Sequence, residues 1–314
     1  FTNPAGVENI LSRVTGNNPS NILGKLGVLG NANLFFINPN GIIFGANASL
    51  DVRGSFVATT ANAIGFSDQG FFSASTANQP ELLKVNPSAF LFNQIAAQSI
   101  TNQSTTGLQV PAGQSLLLVG GDVRLDGGKL TALGGRVELG GLASFGTVDL
   151  NVDQNNLHLN FPLEVPRANV SLTNGSGVDV TAGGGGSIAV NAQNLDISGG
   201  SSLLAGIRAG LGTIGNQAGN IEIDATEQVS ISGISFTGST SIISNLVNTG
   251  AIGNAGNVVI ETGDLNLSGN AIIASATDGQ GNAGNVTIQA RDTVSFTGGS
   301  SSSGITSAVG QSGV

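Results

Sequence analysis

A chain of 314 residues with 39% hydrophobic content is long enough for one elongated domain or two compact ones, and it can bury a sizeable core. Its formal charge of -9 comes from 19 scattered acids and 10 scattered bases, with no basic patch to track a phosphate backbone, which argues against nucleic acid as a partner. The absence of Cys excludes disulfides, thiolate metal sites and thiol nucleophiles, and is compatible with passage through an oxidising compartment. No apolar run approaches the ~18 residues that span a bilayer. The chain opens at Phe1 without Met, basic n-region or h-region, so its start is expected to be processed or truncated.

With 49 Gly, 9% charged residues, only 8 Pro and many β-branched residues, the composition predicts short strands and many turns rather than a disordered chain. The first part is aromatic, with 10 of the 14 Phe before residue 93. Within it, "NLFFINPNGIIFG" (Asn33 to Gly45) sets two apolar runs against Asn38-Pro39-Asn40-Gly41. Asn at i, Pro at i+1 and Gly at i+3 are what a type I β-turn favours. The flanks, Leu34 to Ile37 and Ile42 to Phe44, read as strands covered on both faces. From Gln79 to Gln109, with Pro80 and Pro87, the pattern is irregular and predicts loops or an extra hairpin beside the main fold. Alternation resumes over Ser115 to Gly141, with Val123, Leu125, Leu130, Val137 and Leu139 between double-glycine corners. "NFPLEVPR" (Asn160 to Arg167) is the best boundary by its two prolines.

The second half repeats itself. "GNQAGNIEI", "GNAGNVVI" and "GNAGNVTI" open successive units, 37 residues apart from Asn220 to Asn257 and 28 from Asn257 to Asn285. Each unit reads strand, turn, strand, glycine corner, strand, with apolar residues alternating: Ile221 and Ile223, Val229 and Ile231, Val258 and Ile260, Leu265 and Leu267. Three short strands per unit and no room for a crossover helix predict an all-β chain wound as a parallel β-helix, of roughly 10 to 15 coils, with loops or a hairpin outside it. Gly takes positive φ without strain, and Asn side chains stacked at one corner can bond along the axis. An antiparallel sandwich is the runner-up, but it does not predict a three-strand unit with its asparagines in phase. The chain stops at "GITSAVGQSGV" inside a further repeat, so the repeats are expected to continue, and an open strand stack could polymerise end to end.

Side chains able to do chemistry are sparse. Glu222 and Asp224 share one side of a strand, and Asp122 and Asp126 flank another, the pairing a carbohydrate-cleaving β-helix would use; nothing adjacent in sequence activates either pair, and solvated faces explain both. His158, the only histidine, sits between Leu157 and Leu159 on the opposite side of its strand and is read as exposed. "TDGQGN" (Thr277 to Asn282) lacks the repeat of a calcium-binding β-roll. No catalytic residue, metal site or cofactor site is assigned. Without Trp or Tyr, an aromatic sugar platform would have to be built from Phe that the core needs.

The run "SRVTGNNPSNILGKLGVLGNANLFFINPNGIIFGANASLDVRGSFVATTANAI", Ser12 to Ile64, resembles the haemagglutination-activity (two-partner secretion) domain of filamentous-haemagglutinin-like exoproteins, in versions of cyanobacterial type. The specific parts are Asn38, Pro39, Asn40, Gly41 and Ile42, followed by "GSFVATTANAI". A second family motif, Asn-Pro-Asn-Leu, has as its nearest string "NANL", with Asn31, Asn33 and Leu34 but Ala32 in place of the proline. The resemblance implies a right-handed parallel β-helix, exported unfolded across an outer membrane by a partner β-barrel transporter with periplasmic docking domains. It also implies a place outside the cell or on its surface and an adhesin or surface-structure role toward an unidentified target. On this reading residues 1–165 are the secretion domain and residues 166–314 a β-helical stalk. A self-assembling fibre subunit, a homo-polymer, is the alternative. Turn chemistry alone accounts for Asn38 and Gly41; recognition by the transporter is the second role they could play.

Overall fold

The computed structural model describes residues 1–2, 6–75, 86–94, 97–153, 156–235, 238–298 and 303–310. Alternating apolar residues wind it into a parallel β-helix with three faces. The first face stacks Asn9–Arg13, Asn33–Ile37, Phe56–Thr59, Ser115–Gly120, Arg136–Gly141, the leading halves of Ser187–Ser198 and Ile221–Ser232, then Val258–Thr262 and Val286–Ala290. The second stacks Ser20–Ile22, Ile42–Phe44, Ile100–Asn102, Val123–Asp126, Val170–Thr173, the trailing halves of the two long strands, Asp264–Ser268 and Val294–Thr297. The third face begins with Lys25–Gly27 beside Ser49–Asp51. It continues through Leu108–Gln109, Lys129–Thr131, Gly177–Asp179, Ser202–Ile207, Ile242–Val247, Ile272–Thr277 and Gly304–Val309.

Each rung repeats the inward residues of the one before. Val123 and Leu125 sit over Val170 and Leu172, these over Leu195 and Ile197, and these over Val229 and Ile231. Buried residues from Val28 to Ile273 join one apolar column. Each fully buried Val, Leu or Ile contributes about 1.5–3 kcal/mol relative to exposure, so the column supplies most of the stability. The corner asparagines bond along the axis as the repeat predicts: Asn257 N–H donates to Asn220 Oδ1 at 3.0 Å and Asn285 N–H to Asn257 Oδ1 at 2.9 Å. The longer unit carries an extra loop, in which Ser235 N–H bonds Ser239 O at 2.7 Å, where the shorter one turns tightly at Gly269 and Asn270.

Three expectations need correction. Among the described residues the first face has nine rungs, not 10 to 15 coils, because part of the chain leaves the helix. At about 4.8 Å per rung the stack is ~40 Å long. The excursion is also larger and placed differently from the hairpin expected over Gln79 to Gln109. Ala63–Gly65, Phe71–Ser73, Ala89–Phe92, Gly146–Asp153 and Asn156–Asn160 make one five-stranded antiparallel sheet. Ile100–Asn102 and Leu108–Gln109 are instead ordinary rungs, and residues 76–85, Pro80 included, lie outside the described residues.

This sheet covers the early part of the first face and explains the unbroken apolar run Leu34 to Ile37. Leu34 and Phe36 point into the main column. Phe35 and Ile37 join a second core with Phe90, Leu150, Leu157, Leu159 and Phe161. Ile42–Phe44 lies on the second face, which the sheet does not reach. Ile42 and Phe44 are buried there but Ile43 is only half-buried, so double coverage holds for one flank of the turn and not the other.

Candidate functional site

The tetrapeptide Asn38-Pro39-Asn40-Gly41 turns the chain from the first face to the second. The turn closes by Gly41 N–H to Asn38 O at 3.1 Å. Asn38 is fully buried and every polar atom of its side chain is used. Its Nδ2 donates to Asn18 O at 3.0 Å and Ser20 Oγ at 2.8 Å in the preceding coil, and its Oδ1 accepts from Asn40 N–H at 3.0 Å and Asn40 Nδ2 at 3.3 Å. Its own N–H reaches forward to Thr59 O at 3.0 Å. One side chain therefore joins the first coil to the second, and the backbone carries the tie to the third.

Pro39 and Ile42 are buried too, whereas Asn40 is half-exposed and donates to Gly16 O at 2.7 Å. Gly41 holds φ +109°, a conformation costly for other residues. A Cβ there would come no nearer than 3.4 Å to Ser99 O, so space is not the obstacle. Gly41→Ala is expected to cost about 1–3 kcal/mol from backbone strain alone, read as a lower urea midpoint at unchanged m-value.

The second set of sequence candidates lies at the other end of the same strand. Asn33 Nδ2 donates to Asn9 Oδ1 at 2.9 Å, and its Oδ1 accepts from Ser55 N–H at 2.8 Å, a ladder across three coils. Ser55 extends it, its Oγ accepting Ser115 N–H at 2.9 Å. Gly54 is glycine because a Cβ would lie 2.7 Å from Asn33 Oδ1 and 2.8 Å from Ala32 O. Leu34 is buried in the main column and Asn31 is exposed before the strand starts. The two motifs thus bracket the single strand Asn33–Ile37, roughly 13 Å apart.

Sequence reasoning gave no structural role to two further constellations. In "GSFVATTANAI", Thr60 is buried, its Oγ1 donating to Gln98 O at 2.7 Å and accepting Gly121 N–H at 3.1 Å. Asn62 Oδ1 accepts Asn93 N–H at 2.8 Å. These residues steer the chain out of the helix into the covering sheet, and polar residues straight after a strand of buried apolar ones were the available signal. The second is Glu138, fully buried beneath the sheet, paired with Arg136 and accepting Leu159 N–H at Oε2, 2.8 Å away. Ser115 Oγ accepts Leu157 N–H at 3.0 Å. Together they fasten the sheet's edge strand Asn156–Asn160 to the helix. Burial pushes the Glu138 carboxyl above its ordinary value, against the opposing pull of Arg136 and the Leu159 N–H.

The acidic pairs do structural work. Asp224 pairs with the buried Arg167 at 2.8 Å, while Glu222 is exposed and accepts from Asn220 Nδ2 at 3.3 Å. Asp122 pairs with Arg124 at 2.7 Å and accepts Asn169 N–H at 3.1 Å; Asp126 accepts from Asn174 Nδ2 at 2.6 Å. His158 is exposed, with Leu157 and Leu159 buried on the other side of its strand. Among the described residues no group of three or more His, Cys, Asp or Glu comes together as a metal site.

No curated protein matches the chain. Among solved structures, the crystal structure of the HMW1 secretion domain from Haemophilus influenzae aligns over 92% of this chain and 87% of that one, at 18% identity and a TM-score of 0.48. The family described as TPS secretion domain matches residues 1–190, which extends past the Asn160 to Arg167 segment. That match takes in more than half of the sequence, and the chain belongs to the TPS secretion domain family, the two-partner-secretion domains of exoproteins exported by a partner transporter.

Proposed function

We propose that the Asn38 to Ile42 corner, with Asn33 and Leu34 at the far end of the same strand, forms part of the export signal read by an outer-membrane β-barrel with periplasmic docking domains. The carrying observation is the family match over residues 1–190. Burial divides the labour: Asn38, Pro39, Gly41 and Ile42 act by shaping the first coils, and Asn40 and Asn31 are the members that a partner could touch once the domain is folded. On this reading residues 1–165 direct export and residues 166–314 are stalk. The protein is then secreted or held at the cell surface, and its adhesin or surface-structure role is analogy with its family.

The test is release of the chain behind a periplasmic targeting signal, in cells with and without the partner barrel, for wild type and Asn40→Ala. Asn40→Ala loses the two side-chain hydrogen bonds to Gly16 O and Asn38 Oδ1, together worth about 1–2 kcal/mol at a half-exposed position, and stays folded. The expected result is barrel-dependent release of wild type, reduced at least several-fold for a variant that folds when purified. Equal release of wild type without the barrel would overturn the export reading. Equal barrel-dependent release of both chains would remove Asn40 from the signal.

A further inference from the structure

The sequence holds two Asn-Gly pairs, Asn40-Gly41 and Asn174-Gly175. In such a pair the glycine nitrogen reaches the asparagine amide with little hindrance, because no Cβ stands in the way. The fold treats the two pairs oppositely.

Asn40-Gly41 is knitted into the second coil. Gly41 is buried and its N–H donates to Asn38 O at 3.1 Å. The Asn40 amide donates to Gly16 O at 2.7 Å and to Asn38 Oδ1 at 3.3 Å. Neither the glycine nitrogen nor the amide can turn toward the other without breaking these bonds.

Asn174-Gly175 makes the corner between Val170–Thr173 on the second face and Gly177–Asp179 on the third. Both residues hold positive φ, +56° and +71°, and Ser176 N–H closes the turn on Thr173 O at 3.1 Å. Asn tolerates this conformation without preferring it, so leaving it relieves backbone strain. Asn174 is exposed, and a Cβ on Gly175 would meet nothing within 4 Å. Among the described residues the Gly175 N–H has no hydrogen-bond acceptor. One exposed bond, from Asn174 Nδ2 to Asp126 Oδ1 at 2.6 Å, restrains the amide, and local opening at an exposed corner releases it.

We propose that Asn174 is a modification site at which the chain reacts with itself, ageing to aspartate and isoaspartate in the folded protein. The Gly175 nitrogen gives its proton to hydroxide and attacks Asn174 Cγ. The new N–Cγ bond closes a succinimide ring, the Cγ–Nδ2 bond breaks, and the nitrogen leaves as ammonia with a proton from water. Water then opens the ring. Cleavage at Cγ leaves aspartate, cleavage at the Asn174 backbone carbonyl leaves isoaspartate, and the Gly175 nitrogen recovers its proton in both. Nothing is oxidised or reduced, and water is the sole co-reactant.

Either product loosens the corner. A carboxylate at position 174 replaces the amide that donates to Asp126, so a hydrogen bond becomes a like-charge contact between neighbouring coils. Isoaspartate also adds a backbone carbon inside the turn that Ser176 N–H closes.

Peptide mapping by mass spectrometry tests this on the purified protein, sampled over weeks in mildly alkaline buffer, with the same chain unfolded in urea beside it. In the folded protein Asn174 is expected to convert at least about tenfold faster than Asn40, whose bonds must break first. In urea the two pairs convert at similar rates, and Asn174→Asp, made directly, lowers the urea midpoint of the protein. An Asn174 that keeps its amide in the folded protein while the unfolded chain loses it would overturn the inference. So would equal rates at Asn174 and Asn40 in the folded protein. An unchanged midpoint for Asn174→Asp would overturn the claim that conversion loosens the corner.

Discussion

Asn38→Ala is expected to destabilise the protein by about 2–4 kcal/mol, more than Asn40→Ala two residues away. The substitution strips the acceptor from Asn40 N–H and the donor from Asn18 O and Ser20 Oγ; Asn38 itself is fully buried, while Asn40 and Ser20 are half-exposed and Asn18 is exposed. Each backbone group left without a partner away from water costs about 1–3 kcal/mol, and alanine supplies no replacement. An aspartate in place of Asn38 would keep the acceptor but aim a carboxylate oxygen at the Asn18 carbonyl, so Asn38→Asp should do no better than alanine at neutral pH. Urea unfolding of the wild type and the two position-38 variants, with m-values compared, measures the differences. A loss under about 1 kcal/mol for Asn38→Ala would mean that the corner is not a structural tie between coils.

Glu138→Ala is the second large effect, about 3–5 kcal/mol, because removing one partner of a buried ion pair leaves the other uncompensated. Arg136 would keep Ser187 Oγ at 2.9 Å, but Leu159 N–H would lose its acceptor and the sheet its edge fastening. Amide exchange at Leu159 should accelerate far more than at Ile188, in the neighbouring rung of the helix. The pH dependence has a definite sign. Burial raises the folded Glu138 carboxyl above its ordinary value of 4.5, so the native state holds a proton that the unfolded chain has already released. Its contribution is full below that ordinary value and falls as pH rises through the folded one. Asp196 is raised in the same direction by its own burial, so the comparison must isolate one group. Wild type minus Glu138→Gln does this: the difference should shrink or reverse as pH rises from about 4 to 7. A difference that does not change with pH would show that Glu138 titrates normally.

The rungs were legible because their cause is local. A period of two over "SIAVNAQNLDIS" or "VVIETGDLNLS" puts every second residue inward, and phased asparagines announce stacking before any partner is known. The Asn38 turn was legible for the same reason, its closing hydrogen bond following from four adjacent residues. The covering sheet was not, because its pairings are distant: Ala89 lies opposite Asp149, and Ile64 opposite Phe90. Alternation identifies "NNLHLN" as a strand but cannot say what it lies on. Glu138 was hidden likewise, since its outward position on the rung implies solvent unless another layer is known to lie above it. Part of the site remained out of view too: Asn33 became interpretable only when Asn9 and Ser55 were seen on either side of it.

The covering sheet also sets a schedule. A chain emerging from its N-terminus can stack its first two coils and the first strand of the third once Thr59 is out, and Phe35, Ile37 and Val57 then form a bare apolar wall. Part of the cover that seals this wall, Leu150, Leu157, Leu159 and Phe161, arrives roughly a hundred residues later. Until that cover arrives the nascent helix stays sticky on this side. It is sealed only when the hairpin Gly146–Asp153 to Asn156–Asn160 folds back over coils already built, so the protein's first stable form on such a path is about half of its length.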